Sequence, residues 1–403
     1  MNTLSIVIPA YNEEDGIAQI IERVLPIRPT LQGVGVDDLE LIVVDDGSRD
    51  RTAEIAGQYP DVRLLKHTVN QGYGAALKTG FGRAKGNLLG FLDADGTYPP
   101  EHFPDLCRVA LTEGADLVIG SRMAGAESEM PLVRRVGNVI FANLVSLLGR
   151  HRVTDSSSGM RVIRRDALSR LYPLPDGLNF TPVMSTRALH EDIHWKEVPI
   201  PYKERMGRSK LNVVTDGVRF LNTIVWTALN YNPARILGGV GLGLALLAAA
   251  VAVALVVARL SGLDRLGPWG VGGVYLGALA AFAGLTLFSL GATFNYLVSL
   301  FHECTIRQGL FGNKPWFKRP LERHFGWMGL LALLAGLSLG LASVLLSLNG
   351  WPIYRVWFWL LAAALSAILG LQLLVFWVIT QVLGELNQRG ADVARDLEGK
   401  PCQ

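Results

Sequence analysis

Two carboxylates stand one residue apart in the stretch Phe91-Leu92-Asp93-Ala94-Asp95-Gly96. The apolar run Leu88–Leu92 leads directly into them. Side chains at i and i+2 of a strand face the same way, so a strand that persists to its tip aims Asp93 and Asp95 at one spot. Two carboxylates at one spot repel unless a cation lies between them and something anionic. A hard divalent ion such as Mg²⁺ or Mn²⁺ takes oxygen ligands and completes its shell with substrate phosphates. The expectation is a metal and diphosphate site at a strand end, with Asp93 and Asp95 as metal ligands. The alternative is an ordinary acidic turn.

Composition bounds the rest. At 403 residues the chain has room for more than one domain. Half of the residues are hydrophobic and 18% are charged, against about 25% charged in an average soluble domain. The first half is rich in charge, and from Ala234 onward there are long uncharged stretches. A formal charge of +3 is too small to argue for nucleic acid. Cys107, Cys304 and Cys402 are far apart and make no disulfide or metal framework. Leu4–Ala10 is short, lacks a basic lead and runs into acids, so no secretory signal is expected and the first domain should stay in the cytoplasm.

In the first half, apolar runs alternate with helical patterns. Strands are expected at Leu4–Pro9, Leu39–Asp45, Val62–Lys66, the run into Asp93, and Asp116–Ser121. Helices are expected from Asp15 to about Leu25, up to Tyr59, after Asn70-Gln71-Gly72-Tyr73-Gly74, and over Glu101–Glu113. This alternation implies an α/β domain with a parallel sheet covered on both faces. Ligands of such sheets bind beyond the carboxyl ends of the strands, and here those ends are polar: Tyr11-Asn12-Glu13, Asp45-Asp46, Asp93 and Asp95, Ser121-Arg122. A dinucleotide-binding domain would need G-x-G-x-x-G after the first strand, but that strand leads into Pro9-Ala10-Tyr11-Asn12-Glu13. Asp46 or Ser48 has a simpler alternative role, capping the helix that follows, and Tyr11 one in packing.

Four motifs in order, IVIPAYNEE, VVDDGSRD, NQGYGAALKTG and FLDADGTYPP, resemble the family-2 glycosyltransferases. The resemblance covers roughly residues 3–210 and implies the GT-A nucleotide-sugar fold, a Rossmann-like architecture. By matching position it implies that Pro9, Tyr11 and Glu13 line the base and ribose pocket and that Asp45 contacts the base. Asp93 and Asp95 match the D-x-D that binds metal, Mg²⁺ or Mn²⁺, and diphosphate. Further on, Asp155-Ser156-Ser157-Ser158-Gly159-Met160-Arg161 resembles the D-x-x-S-G-x-R segment of polyprenyl-phosphate glycosyltransferases, the dolichol-phosphate mannose synthases among them. Tyr202–Lys210 resembles their basic hand-off into a membrane-lying helix. That likeness implies that Arg122, Arg134 and Arg135 bind acceptor phosphate, and that Arg205, Ser209 and Lys210 meet donor diphosphate or acceptor phosphate. Arginine is well shaped for phosphate, and lysine adds a point charge. Asp155 is a candidate catalytic residue, as base or as orienting group. Attraction to the membrane surface is the plainer explanation of Arg205–Lys210.

Residues 210–232 read as an amphipathic helix, with Asn212, Asp216, Arg219, Thr223, Thr227 and Asn230 on one face and Leu211, Val214, Val218, Leu221 and Val225 opposite. It is expected to lie in the membrane interface, the rival being a helix packed on the soluble core. Four segments over residues 233–388 are then long enough to span a bilayer: roughly Ile236–Ala258, Tyr275–Phe301, Trp327–Leu348 and Val356–Gly384. The loop between the second and third carries Arg307, Lys314, Lys318, Arg319 and Arg323, and the tail 389–403 carries Arg389, Arg395 and Lys400. The excess of base places that loop and both ends of the chain in the cytoplasm. His302 and Glu303 read as a solvated loop start.

The parts together imply an inverting, metal-assisted transfer of one sugar from a nucleotide-diphosphate sugar to a polyprenyl phosphate. The expected partners are that donor, that lipid and the membrane, with a homo-oligomer possible in principle and no nucleic acid. A processive polysaccharide synthase is the alternative, but its Q-x-x-R-W signature is absent. The other is a non-catalytic scaffold that kept the fold.

Overall fold

The computed structural model describes residues 2–125, 130–148, 152–191, 193–202, 213–262, 267–301 and 324–398. It divides into two units, Met1–Ala228 and Leu229–Gln403.

The first unit is a seven-stranded sheet in the order β3-β2-β1-β4-β6-β5-β7. The strands are β1 Thr3–Ala10, β2 Asp38–Asp45, β3 Val62–Lys66, β4 Leu88–Phe91, β5 Leu117–Ser121, β6 Arg161–Arg164 and β7 Trp195–Pro199. Its helices are α1 Ile17–Val24, α2 Arg28–Gln32, α3 Thr52–Ala56, α4 Tyr73–Arg83, α5 Phe103–Thr112, α6 Leu132–Leu148, α7 Arg165–Leu171, α8 Phe180–His190 and α9 Val213–Tyr231. The sheet separates two cores. Leu4, Ile6 and Ile8 of β1 pack with α1 and α5, while Val7 packs on the other face with Phe81, Phe91 and Phe180. Successive strand residues point to opposite faces, so both faces are buried and the strand reads as one apolar run.

The expectation of a parallel sheet is corrected. The five strands read from the sequence are present, but β6 runs antiparallel to both β4 and β5, and β6 and β7 were not anticipated. β6 is four residues long with arginine at each end, and β7 is the half-buried edge sequence Trp-Lys-Glu-Val-Pro. Neither presents the long apolar run that marks a covered strand. The reversal has a consequence for the site. It brings the loop leading into β6 to the same edge of the sheet as the end of β4.

α9 buries one part of its surface and exposes another. Phe220, Ile224, Thr227 and Ala228 are buried, with Phe220 edge-on to Phe141 of α6 at 6.0 Å. Val218, Leu221 and Trp226 remain exposed, Trp226 at 62%. α6 is also apolar outward: Leu132 is 77% exposed, and Val136 and Ile140 are exposed beside it.

The second unit contains α10 Pro233–Leu260, α11 Pro268–Phe301, α12 Phe325–Leu348 and α13 Ile353–Glu398. All four are long and apolar enough to cross a membrane, over Pro233–Leu260, Trp269–Asn295, Phe325–Leu348 and Val356–Leu386. The last candidate span lies within a longer helix, which continues to Glu398. His302, Glu303 and the basic residues 307–323 lie outside the described residues, as does residue 400.

Helix α4 lies tightly on β1 because residue 80 is glycine. A Cβ there would stand 2.3 Å from Val7 Cγ1. Gly80→Ala should therefore lower stability by about 1–3 kcal/mol, the usual cost of overpacking a filled core. A shift in the chemical-denaturation midpoint of the detergent-solubilised protein measures it.

Candidate active site

The acidic pair converges by a route other than strand alternation. β4 ends at Phe91, and the last ladder contact is Leu92 N–H to the Val7 carbonyl at 3.3 Å. The chain then turns, with Gly96 at φ 74°. Asp95 Oδ1 accepts from Thr97 N–H at 3.1 Å and from the Thr97 hydroxyl at 2.6 Å, a turn closed by the aspartate's own side chain. Asp93 Oδ1 accepts from the Tyr73 hydroxyl at 2.8 Å. Both carboxylates line one cavity of about 320 Å³.

The cavity has two characters. Its lining includes the charged and phenolic side chains of Arg122, Arg134, Tyr73 and Tyr98, and the apolar side chains of Val133 and Phe141 of α6 and Phe220 of α9. No group of three or more His, Cys, Asp or Glu placed to hold a metal ion occurs among the described residues. Two carboxylates on an open cavity nevertheless fit Mg²⁺ or Mn²⁺, because such ions are held by one or two protein carboxylates, with substrate phosphates and water completing the shell.

Arg122 and Asp155 form a buried pair. Arg122 Nε and Nη2 lie 2.7 and 2.9 Å from Asp155 Oδ2 and Oδ1. Asp155 has no exposed surface and also accepts from Arg122 N–H and from Asn138 Nδ2, both at 3.1 Å. Burial alone would raise its pKa, but the Arg122 guanidinium and these hydrogen bonds outweigh it and hold the carboxyl below its ordinary value. The guanidinium carbon lies 5.5 Å from the Tyr98 ring centroid and 5.8 Å from that of Tyr202. Asp155 is not among the residues lining the cavity, whereas Arg122 is. Asp155 thus sits behind Arg122, fully buried and ion-paired.

The loop 155–160 is held against the turn that follows β4. Gly159 N–H donates to the Tyr98 hydroxyl at 2.7 Å. Arg161, fully buried, donates to the Ser158 and Ser156 carbonyls at 3.0 and 2.9 Å, and burial pulls its guanidinium down to about 10.

The ends of β1 and β2 make a second cluster. Ala10 pairs with Asp45 in register. Asn12 N–H donates to Ser48 Oγ at 2.9 Å, Arg49 N–H to Asn12 Oδ1 at 2.8 Å, and Glu13 N–H to Thr52 Oγ1 at 2.8 Å. Pro9, Tyr11, Glu13 and Asp45 thus lie at one edge, with β1 between β2 and β4, but outside the lining of the cavity at Asp93. Neither Asp46 nor Ser48 caps α3, whose N-terminus has no side-chain cap. Asp46 instead accepts from Gln71 and Gly72 N–H at 2.9 and 2.8 Å.

Of the expected phosphate-binding arginines, the structure brings Arg122 and Arg134 together, with Arg134 Nη1 3.3 Å from the Tyr202 hydroxyl. Arg135, about 100° further round the helix, is exposed and does not line the cavity. Arg205, Ser209 and Lys210 lie outside the described residues. Tyr73, Tyr98, Asn138, Gly159 and Tyr202 were not singled out as site residues. For Tyr73 a signal existed, its place in the Asn70–Gly74 motif.

Comparison with known proteins supplies the relatives of this arrangement. Residues 5–172 match the model described as glycosyl transferase family 2, and residues 233–394 match a domain of unknown function. The low-salt glycan biosynthesis hexosyltransferase Agl6 of Haloferax volcanii is 31% identical over 389 residues, 95% of this chain and 89% of the relative. The undecaprenyl-phosphate 4-deoxy-4-formamido-L-arabinose transferase of Edwardsiella ictaluri is 29% identical over 76% of this chain and 92% of its own. A dolichyl-phosphate hexose transferase of Haloferax volcanii is 31% identical over 56% of this chain and 94% of its own.

Replacing Asp155 by Asn strands the Arg122 cation, so Asp155→Asn should cost about 3–5 kcal/mol near neutral pH. Because the native carboxyl titrates low, its contribution is complete above the unfolded pKa of about 3.9 and is lost as pH falls through the native value. The gap between wild type and variant should close in acid, as denaturation midpoints at neutral pH and below pH ~4 will show.

Proposed function

The chain belongs to glycosyltransferase family 2, with a GT-A-like domain preceding four candidate membrane helices, and on that premise we propose that it transfers one sugar from a nucleoside-diphosphate sugar to a polyprenyl phosphate. The observation that carries the acceptor is the mixed lining of the cavity. Carboxylates and arginines share it with apolar residues of α6 and α9. A phosphate joined to a hydrocarbon chain offers both kinds of surface. The names of the relatives support this reading, since two of them act with undecaprenyl phosphate or dolichyl phosphate. Their shared chemistry is a polyprenyl phosphate.

Asp93 and Asp95 would hold Mg²⁺ or Mn²⁺, which when bound neutralises charge gathering on the departing diphosphate. Arg122 and Arg134 bind the acceptor phosphate, and the Asp155 pair holds Arg122 ready so that little reorganisation accompanies reaction. A phosphate monoester with a second pKa of about 6 is largely dianionic at neutral pH. It therefore attacks without a strong general base, in keeping with Asp155 being buried and ion-paired. Direct in-line attack inverts the anomeric centre. Pro9, Tyr11, Glu13 and Asp45 take the nucleoside of a donor of the GDP-mannose or UDP-glucose type. Arg205, Ser209 and Lys210 are assigned to donor diphosphate or acceptor phosphate. The reading places the enzyme in the cell membrane with its catalytic domain on the cytoplasmic side, supported by the basic residues between the second and third spans.

Nucleotide sugars incubated with a polyprenyl phosphate, detergent and Mg²⁺ or Mn²⁺ should give an organic-soluble lipid carrying one sugar of inverted configuration. A long water-soluble polymer, or a product of retained configuration, would contradict the proposal. Asp95→Asn should cut turnover on the order of 10²–10³-fold, with the fold intact and no rescue by added metal. Near-normal turnover would remove the metal assignment.

A further inference from the structure

Tyr73 lies at the cavity, yet the reaction as drawn gives it no task. The turn that carries it is tied down on both sides. Ahead of it, Gln71 and Gly72 N–H donate to Asp46 Oδ1 and Oδ2 at 2.9 and 2.8 Å. Behind it, Gly74 and Ala75 N–H both donate to the Asp176 carbonyl, at 2.7 and 3.1 Å. Asp46 is itself buried, and its Oδ1 lies 2.7 Å from His67 Nδ1, whose other ring nitrogen is 2.9 Å from Thr79 Oγ1. Thr79 is on α4, so the imidazole bridges the end of β2 to the helix that Tyr73 opens. Gly72 has φ 106°, and a Cβ there would stand 2.5 Å from the Asp176 carbonyl oxygen, which explains why glycine occupies the turn.

The side chain is equally fixed. The Tyr73 ring meets Phe180 edge-on, with centroids 6.4 Å apart. Its hydroxyl reaches one oxygen of Asp93, while the backbone of Gly159 closes on the other. A Cβ on Gly159 would stand 2.4 Å from Asp93 Oδ2. A phenol, with an ordinary pKa of about 10, is a hydrogen-bond donor at neutral pH.

We propose that Tyr73 is a positioning residue that orients the Asp93 carboxylate for a divalent ion, and that Asp46 and His67 fix the turn presenting it. The inference rests on the metal reading of Asp93 and Asp95. Partners that hydrogen-bond a metal-ligating carboxylate restrict its rotation before the ion arrives, and their loss costs roughly 10–100-fold in metal affinity.

The test is binding of Mn²⁺ alone to the purified full chain in detergent, with free Mn²⁺ followed by electron paramagnetic resonance. Tyr73→Phe keeps the ring against Phe180 and removes only the donor. It should weaken Mn²⁺ binding about 10–100-fold, and raise the Mn²⁺ needed for half-maximal turnover while leaving the donor KM at saturating Mn²⁺ unchanged. Gly159→Ala disturbs the same carboxylate from its other side and should also weaken Mn²⁺ binding. Tyr59→Phe, whose hydroxyl donates to Glu22 far from the cavity, should bind Mn²⁺ as the wild type does. Wild-type affinity in Tyr73→Phe overturns the positioning role, and weakened binding in Gly159→Ala beside it leaves the metal site standing. Failure of the wild type to bind Mn²⁺, or full binding by Asp95→Asn, overturns the metal reading and this inference with it.

Discussion

A carboxylate with no exposed surface needs a cation and a full set of donors on it, and the Asp155–Arg122 pair is where this domain meets that requirement. Removing each ion from water costs several kcal/mol, which only close geometry and complete hydrogen bonding offset. The donors come from different parts of the chain: Arg122 just beyond β5, Asn138 on α6, and Ser157 N–H in the loop before β6. One ion pair therefore joins a strand end, a helix and a loop. Between the rings of Tyr98 and Tyr202 the guanidinium has little freedom left, and its position is set before any ligand arrives.

Much of this was legible in the chain, and the failures have physical causes. β1, β2 and β4 announce themselves because strands buried on both faces must be apolar throughout. β6 does not, because its anchoring residue is a buried arginine whose partners are the carbonyls of Ser156 and Ser158. Carbonyls are present at every residue and leave no mark in a sequence. The convergence of Asp93 and Asp95 was anticipated, but the route was not. A two-residue periodicity gives the same expectation as a turn closed by Thr97. Arg134 and Arg135 are equivalent by composition and separated by one helical step. Tyr73 acts on a carboxylate 20 residues away, beyond the reach of local pattern. For α9, an apolar stripe says that something covers it but not whether protein or lipid does, and the helix divides its apolar residues between a buried face and an exposed one.

The helical unit follows a different rule. Lipid tails are as apolar as leucine, so close contact between helices relies on small residues. Gly241 of α10 would place a Cβ 2.5 Å from Phe288 N of α11, and Gly336 of α12 would place one 2.5 Å from Ala367 N of α13. The two hairpins are thus each seamed by glycine at backbone distance. Gln372 of α13 donates to the Thr286 hydroxyl of α11, a polar link between the hairpins.

The order of strands along the chain has a consequence for biosynthesis. β4 waits for β6 to cover its second edge, and β5 waits for β7, the last strand to be made. All seven are nonetheless translated before Pro233 opens the first apolar helix. Domains generally fold as units, from the N-terminal side, as the nascent chain emerges. The sheet and its paired carboxylates therefore have every partner strand before any spanning segment has left the ribosome, and the catalytic domain can mature while the rest of the protein is still unmade.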